Sequence, residues 1–265
     1  MHLSSFLSPA KLNLFFRVLH KRTDGYHEIA SLYQAIDLFD RLFFAWASSD
    51  LISCTDPAVP CDSTNLVAKA LTLYRRHYFV PPLHIHIEKH IPIQAGLGGG
   101  SSNAATTLLA VNQLMHNPAS LQELIDMGAM LGSDVPFFFS SGTAYCTGRG
   151  EIIEPFQLPR PISGYLAKPP YGLSTPAVYH ALRVEALHLR DPRESLHNGP
   201  EFYNDLEAAA FLLEPRLQSL KNELLQHFER VTLTGSGTAF FCLQGSPNPH
   251  LPLQWIPFHT IKLGE

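Results

Sequence analysis

Hydrophobic and polar positions alternate with a period of two in residues 83–88, whose sequence is LHIHIE. This is the period of a strand with one buried face. From residue 102 onward the period changes, because Ala104, Leu108, Val111 and Met115 recur at helical spacing. The segment between the two patterns is rich in glycine. The sequence therefore predicts a strand, a glycine-rich loop and a helix, in that order.

The same two periods predict the other elements. Strands are predicted over residues 12–19, 42–46 and 142–146, and helices over 63–78, 102–115 and 121–131. Prolines at positions 155, 159 and 161 mark a boundary. Beyond it, strands are predicted over 164–167 and 231–243, with a turn at 235–237, and helices over 175–189 and 207–227. We therefore predict an α+β fold with two lobes: a mixed α/β lobe at 1–153 and a smaller α+β lobe at 154–265, with the active site between them.

The glycine-rich loop is the segment with the clearest chemistry. Glycine lets the backbone turn tightly and approach a ligand closely, and the start of a helix offers unpaired N–H groups and a positive dipole end. Together they predict a binding site for the phosphates of a nucleotide. The residues of this predicted site are Pro92, Ile93, Gln94, Ala95, Gly96, Leu97, Gly98, Gly99, Gly100, Ser101 and Ser102.

Two common phosphate loops do not fit this segment. A Walker loop has lysine after its last glycine, where this chain has Ser101. The dinucleotide and protein-kinase pattern G-x-G-x-x-G, started at Gly96, would also need glycine at position 101. A surface turn or flexible linker is a third possibility, and a position between a strand and an amphipathic helix argues against it.

Three segments, in their order and spacing, resemble the motifs of the GHMP kinase superfamily, whose members phosphorylate small metabolites. They are PAKLNL at 9–14, PIQAGLGGGSS at 92–102 and LTGSGTAF at 233–240. Further segments at 25–28, 31–34, 65–66, 132–138, 148–151 and 204–207 are similar to the member that acts on a cytidine diphosphate-linked methylerythritol. The chain departs from the family pattern after Leu243, where a proline-rich stretch begins, and it is short for this member.

The resemblance implies a GHMP-kinase-like fold and the transfer of the ATP γ-phosphate to the 2-hydroxyl of the methylerythritol unit, a step of non-mevalonate isoprenoid synthesis. It implies Asp134 as the base that accepts the hydroxyl proton and Lys11 as its neighbour. An ammonium group keeps a carboxylate ionised, orients the hydroxyl and offsets developing negative charge. ATP and Mg²⁺ are the implied cofactors, because the phosphate charge must be offset.

The same resemblance implies the residues that bind substrates. For the cytidylyl substrate they are Asn13, Tyr26, His27, Tyr33, Tyr179, Gly235 and Gly237, and for ATP, Asn65 joins the glycine loop. A cytosine ring offers a face on which aromatic side chains stack. We expect Tyr26 and His27 to be displayed by the turn that precedes them.

Plainer interpretations of these residues stay open. Asp134 could be a helix cap or a turn acid. Lys11 could be a solvated lysine, although its apolar neighbours suggest that it points inward. Tyr33 and Tyr179 could be ordinary core residues. The glycines at 235 and 237 could simply form a β-turn.

Bulk composition narrows the class of protein. The chain has 265 residues, of which 45% are hydrophobic and 16% charged, so it is expected to be globular. Its net charge of −4 argues against a nucleic-acid surface, and no apolar stretch reaches membrane-spanning length. Four cysteines without a CxxC pair suggest reduced thiols and a cytoplasmic location. The predicted partner is a small-molecule substrate, with neither nucleic acid nor membrane, and the predicted state is a monomer or weak homodimer.

His84 and His86 share a strand face and are a possible metal pair. Since no third ligand is evident, we favour a solvated strand face and predict no metal site in the protein itself.

Other functions remain to be compared. A kinase for mevalonate, homoserine or a sugar would have no use for the segment at 25–28. A non-catalytic nucleotide-binding regulator would not need Asp134. A hydride-transferring dinucleotide enzyme is disfavoured because the third glycine is missing.

Overall fold

A computed structural model describes residues 4–184, 193–197 and 201–264. Within these ranges the strands are β1 (Ser4–Lys21), β2 (His27–Trp46), β3 (Leu51–Cys54), β4 (Leu83–Glu88), β5 (Thr143–Thr147), β6 (Ile152–Pro155), β7 (Ser163–Lys168), β8 (Tyr203–Asn204), β9 (Phe228–Leu233), β10 (Phe240–Gly245) and β11 (Gln254–His259). The helices are α1 (Leu66–Tyr74), α2 (Gly99–Leu114), α3 (Leu121–Leu131), α4 (Thr175–Ala181), α5 (Glu194–His197), α6 (Glu207–Leu213) and α7 (Arg216–Leu224), with a short 3₁₀ helix at Pro136–Phe139.

The chain divides into two compact units, each assembled from several segments. The first contains the N-terminal residues to Ala10, Leu38–Ile91 and Gly98–Ser140, and the second contains Lys11–Asp37, Pro92–Leu97 and the residues from Ser141 onward. The sequence-based division into consecutive lobes, 1–153 and 154–265, stays a prediction.

The first unit combines strands with three helices. β4 pairs antiparallel with the end of β2 and parallel with β3. Its apolar residues are buried and its polar residues are half-buried, as the alternation predicts. α1 packs against α2, and α3 contacts both helices. The buried side chains of Leu108 and Val111 lie on the predicted apolar face of α2.

The second unit has two sets of strands. The start of β2 pairs with β5, β5 pairs with β6, and β1 pairs with β8. A separate antiparallel sheet has the order β11-β7-β10-β9. Apolar residues of β7, α6, α7, β9 and β10 form its core, and a second cluster joins β1, β2, α4 and α6.

Most predicted elements are present, with corrections at their bounds. The helix after the glycine loop begins at Gly99 and not at residue 102, so the last glycines form its first turn. The helix predicted over 207–227 is two helices, because Pro215 lies between α6 and α7 and lacks the N–H that a continuous helix needs. The helix predicted over 175–189 ends at Ala181, and residues 185–189 lie outside the described ranges. The proline-rich end of the chain adds β11, which the sequence did not predict.

Two general properties of the described residues complete the picture. No helix among them is long and apolar enough to cross a membrane. Cys54, Cys61, Cys146 and Cys242 are free thiols, and burial raises the pKa of Cys242 to about 12.

Candidate active site

Lys11 points inward from β1 and is almost completely buried, with 2% of its surface exposed. Its Nζ donates a hydrogen bond of 2.6 Å to Asn13 Oδ1 and lies 4.5 Å from the centre of the Tyr33 ring. Asn13 is two residues further along the strand, on the same face, as predicted. The solvated alternative for Lys11 is therefore wrong, and the buried ammonium group has polar and aromatic partners, as burial of a charge requires.

Ser31, on β2, determines which way the Asn13 amide faces. The Ser31 hydroxyl donates to the carbonyl of Phe15 at 2.5 Å, so its only hydrogen is already used. It must therefore accept the second contact, a 2.9 Å hydrogen bond from Asn13 Nδ2. With Nδ2 fixed on this side, Oδ1 faces Lys11. All three side chains are buried.

The first half of the glycine loop, Pro92–Leu97, is held by backbone contacts within the second unit. The Lys11 N–H donates to the Leu97 carbonyl at 2.9 Å. Gly96 has φ +81°, and a Cβ at this position would lie 1.9 Å from the Thr234 carbonyl oxygen. A Cβ on Gly237 would lie 2.0 Å from the Gly96 nitrogen. The two glycine motifs therefore pack backbone against backbone, an approach that only glycine permits.

The second half of the loop opens helix α2 in the first unit. Gly98 is the N-cap in a left-handed conformation, and the structure of this region shows no side chain that caps the helix. The N–H groups of the first turn, at Gly99, Gly100 and Ser101, consequently face no intrahelical acceptor. An uncapped helix start of this kind fits a phosphate group.

Ser101 and Ser102 differ in accessibility. Ser102 is fully buried, and its hydroxyl lies 2.8 Å from that of Ser8, which in turn donates to Asn103 Oδ1 at 2.7 Å. Ser101 is half-buried. The Ser102 side chain is therefore occupied in holding the loop, and Ser101 is the better candidate for a hydroxyl that meets phosphate or a metal ion.

A buried ion pair between Lys89 and Asp40 lies next to the start of α2. Lys89 Nζ lies 2.7 Å from Asp40 Oδ2, while Asp40 Oδ1 accepts the N–H groups of His90 and Ile91 at 2.8 Å each. A Cβ on Gly99 would be 3.1 Å from Lys89 Nζ. The Lys89–Asp40 pair thus lies beside the first residue of α2 and fixes the backbone that leads into the glycine loop.

The turn at the start of β2 exposes Tyr26 as predicted, whereas His27 is half-buried. Gly25 has φ +86°, and Tyr26 is 55% exposed. The His27 and Tyr179 rings are stacked with centres 5.3 Å apart. Burial, together with the charge of Lys21, lowers the pKa of His27 below its ordinary value of 6.5, which favours a neutral ring at pH 7.

Asn65 and Asp134 belong to the first unit. Asn65 caps α1, since its Oδ1 accepts the Val67 N–H at 2.9 Å and its Nδ2 donates to the Pro60 carbonyl at 2.6 Å. Asp134 is half-buried in the turn between α3 and the 3₁₀ helix. The ATP contact predicted for Asn65 and the base role predicted for Asp134 stay predictions.

The histidine pair on β4 has a specific partner. Ser53 Oγ lies 2.8 Å from His84 Nε2 and 2.8 Å from His86 Nδ1. In the described part of the chain, no group of three or more His, Cys, Asp or Glu side chains could hold a metal ion.

Several residues of this site were not predicted individually. Ser31 and Asn204 lie in segments that resemble the family, but the sequence did not indicate a role for either residue. In the structure, Asn204 Nδ2 donates hydrogen bonds to the carbonyls of Leu233 and Gly235 at 2.8 and 2.7 Å. For Asp40 a signal existed, because an aspartate inside an apolar strand must have buried partners.

Comparison with known proteins gives the class first. Residues 65–142 match the N-terminal domain of the GHMP kinases. A crystal structure of 4-(cytidine 5'-diphospho)-2C-methyl-D-erythritol kinase superposes with a TM-score of 0.80 at 33% identity, over 97% of this chain and 99% of that chain. The fold and its glycine loop are those of a GHMP kinase.

The sequence relatives narrow the class. The chain is 47% identical over 238 residues to 4-diphosphocytidyl-2-C-methyl-D-erythritol kinase of Protochlamydia amoebophila, covering 89% of this chain and 83% of that protein. It is 42% identical over 262 residues to the chloroplastic enzyme of Oryza sativa, covering 92% of this chain and 65% of that protein. The chain belongs to the 4-diphosphocytidyl-2-C-methyl-D-erythritol kinase family.

Proposed function

We propose that this protein transfers the γ-phosphoryl group of ATP to the 2-hydroxyl of 4-diphosphocytidyl-2-C-methyl-D-erythritol, giving ADP and the 2-phosphate, in non-mevalonate isoprenoid synthesis. Membership of the family supports the reaction and the substrate. The geometric observation that carries it is the buried Lys11. Its backbone bonds the glycine loop at Leu97, and its ammonium group is oriented by Asn13.

In this proposal the residues at the glycine loop hold the phosphates of ATP. The uncapped N–H groups at the start of α2 fit an anion. ATP supplies the phosphoryl group, and Mg²⁺ bound with it offsets the phosphate charge. Ser101 is the hydroxyl that we propose as a ligand of that ion. Asn65 is proposed to help bind the adenine or ribose of ATP.

Lys11 and Asn13 are proposed to orient the acceptor alcohol. An ammonium group that is oriented by an amide oxygen can orient an alcohol and can stabilise negative charge on the transferred group. Asp134 is proposed as the base that accepts the hydroxyl proton. A base positioned in this way contributes about 10²–10⁴-fold in rate.

The cytidine is proposed to bind at the turn that carries Tyr26 and His27. Tyr26 offers an exposed aromatic ring, and a neutral His27 can both donate to and accept from a pyrimidine edge. Tyr33 and Tyr179 are proposed to line the same substrate site, since Tyr33 lies beside Lys11 and Tyr179 beside His27. Gly235 and Gly237 are proposed to contact the substrate through their backbone, because the space beside each Cα is occupied by the glycine loop.

The experiment that tests the function measures ADP release with Mg-ATP and 4-diphosphocytidyl-2-C-methyl-D-erythritol, with mevalonate, homoserine and galactose as parallel acceptors. We expect turnover with the cytidylyl substrate alone. Turnover with another acceptor would keep the kinase class and refute the cytidine site. Absence of turnover with all four, in a folded protein that binds ATP, would favour a regulatory role.

The base role of Asp134 has its own test. Asp134→Asn should lower kcat by at least about 100-fold, because the amide cannot accept the proton, and should leave the KM for ATP nearly unchanged. Asp126→Asn, on the exposed side of α3, is the matched control and should retain wild-type kcat. Near-normal turnover by Asp134→Asn would remove Asp134 from this role.

Location and assembly are proposed on more general grounds. Free thiols are usual in a cytoplasmic protein, and a net charge of −4 does not favour nucleic acid. We propose a cytoplasmic monomer or weak homodimer that acts on small molecules, which sedimentation at micromolar concentration would test.

A further inference from the structure

The segment Gly148-Arg149-Gly150-Glu151 is similar to a family motif, yet the proposed reaction gives it no part. It forms the turn between β5 and β6, with positive φ at Gly148 and Gly150. The Arg149 guanidinium carbon lies 4.9 Å from the centre of the Tyr26 ring. The turn therefore brings a cation onto the face of the exposed tyrosine that we propose for cytidine.

Arg149 is itself held in place by Glu151. The backbone N–H of Arg149 donates to Glu151 Oε2 at 2.6 Å, and its Nε lies 3.4 Å from Glu151 Oε1. Both side chains are partly buried, at 30% and 22% exposed. One carboxylate thus fixes both the turn and the guanidinium group that the turn carries.

The same turn is tied to the strand that follows Tyr26. The Gly148 N–H donates to Glu28 Oε1 at 3.0 Å, and the Ile29 N–H donates to the Gly148 carbonyl at 2.7 Å. The other carboxylate oxygen of Glu28 accepts from Arg22 Nη1 at 2.5 Å. The backbone of the turn that carries Arg149 is therefore held against the start of β2.

The backbone of Tyr26 is fixed by hydrogen bonds to the residues that precede it in the turn. Its N–H donates to Asp24 Oδ1 at 3.0 Å, and its carbonyl accepts the Arg22 N–H at 2.8 Å. Arg22 Nε also lies 3.0 Å from Asp24 Oδ2. With its backbone fixed, Tyr26 can move only by rotation of its side chain. Among the described residues, Arg149 places its guanidinium group on the Tyr26 ring.

We propose that Arg149 is a positioning residue for pyrimidine recognition: its guanidinium group, held by Glu151, covers one face of Tyr26 and presents the other face to the base of a pyrimidine nucleoside diphosphate. This rests on the proposed function, which supplies the cytidine. An exposed tyrosine without such a contact must lose side-chain freedom when it binds, and a ring that is already held loses less. A cation on one face also makes the ring a more fixed platform for stacking.

The test is calorimetric titration of the full-length protein with CDP. Arg149→Met keeps the aliphatic stem and removes the cation, and the dissociation constant for CDP should rise about two- to fivefold, the range expected for one partly exposed cation–π contact. The KM for the cytidylyl substrate should rise by a similar factor, while the KM for ATP should stay the same. Arg149→Lys keeps the charge without the planar group and should fall between the two proteins.

Two controls separate positioning from a general loss of structure. Arg193 lies 4.8 Å from the Tyr145 ring and pairs with Glu154, so Arg193→Met removes the same kind of contact elsewhere in the second unit and should not affect CDP binding. In a Tyr26→Ala background, Arg149→Met should cause no further loss, because its effect acts through that ring.

The outcomes are distinguishable. An unchanged dissociation constant in Arg149→Met, with CDP bound by the wild-type protein, overturns the inference and leaves the proposed function intact. A full effect of Arg149→Met in the Tyr26→Ala background also overturns it. Failure of the wild-type protein to bind CDP overturns the inference together with the cytidine part of the proposed function.

Discussion

Replacement of Gly96 by alanine tests the contact between the glycine loop and the turn that contains Gly235 and Gly237. The new Cβ would lie 1.9 Å from the Thr234 carbonyl oxygen, whereas ordinary contacts begin near 3.4 Å, so one backbone segment must retreat by about 1.5 Å. The φ of +81° adds the cost of a left-handed alanine, about 1–2 kcal/mol. Forced overpacking adds about 1–3 kcal/mol.

The sum, about 2–5 kcal/mol, is a large part of the stability of a typical protein. For a chain of this size it corresponds to a fall in Tm of roughly 4–20 °C. We also expect the KM for ATP to rise at least about tenfold, since a retreat of this size moves the phosphate-binding backbone away from the nucleotide. Circular dichroism melting and ADP-release kinetics measure the two effects.

Gly100→Ala is the matched control within the same loop. Its Cβ would meet only Leu66 Cδ1, at 3.6 Å, and the position is helical. Alanine should therefore stabilise α2 by about 0.5–1 kcal/mol. If the Gly96→Ala protein melts within about 2 °C of wild type and keeps its KM for ATP, the close packing of Gly96 on Thr234 is not required for stability or for ATP binding. This conclusion does not depend on the result for Gly100→Ala.

Two further predictions concern single hydrogen-bond networks. Ser31→Ala should lower kcat about tenfold, because Asn13 Nδ2 loses its hydrogen-bond acceptor. Ser31→Thr keeps the hydroxyl group and should restore kcat. Thr143→Val is the control, since it removes a buried hydroxyl bond to Gln34 and should not reduce kcat. A loss with Ser31→Thr equal to that with Ser31→Ala would contradict the hydroxyl's role. Hydrogen bonds from the Tyr78 hydroxyl and from Ser120 lower the pKa of Glu123 from 4.5 to about 2. The ionised Glu123 therefore stabilises the folded protein fully above pH 4.5, and this stabilisation is lost as the pH falls towards 2. Glu123→Gln should show a smaller fall in Tm between pH 5 and pH 2.5, and identical slopes for the two proteins would refute this.

Local pattern was a good guide where the physical cause is itself local. The alternation in 83–88 predicted β4 and its buried face, and the turn residues before Tyr26 predicted an exposed side chain. Local pattern failed where a strand or helix depends on distant partners. β11 contains a proline and forms because β7 offers it an edge, with Trp255 opposite Ala167.

In the candidate site, too, the sequence identified residues but not the contacts between distant segments. Glycine at the loop, lysine in an apolar strand and the motif order were all visible in the letters, and the resemblance they carry proved correct for the family and the fold. What Lys11 contacts was not visible. Its burial follows from its apolar neighbours, but its amide partner is oriented by a serine from another strand.

The sequence by itself determined the family, the strand–loop–helix unit that fits a phosphate, and the residue types available for phosphoryl transfer. It could do so because backbone conformation, helix capping and side-chain periodicity depend on neighbours a few residues apart. Only the tertiary structure decided that Gly96 packs on the Thr234 carbonyl, that Ser31 orients Asn13, and that Arg149 covers Tyr26. Each of these joins segments that are distant along the chain, and the direction of a hydrogen bond or a ring contact is set only when their strands and turns are in place.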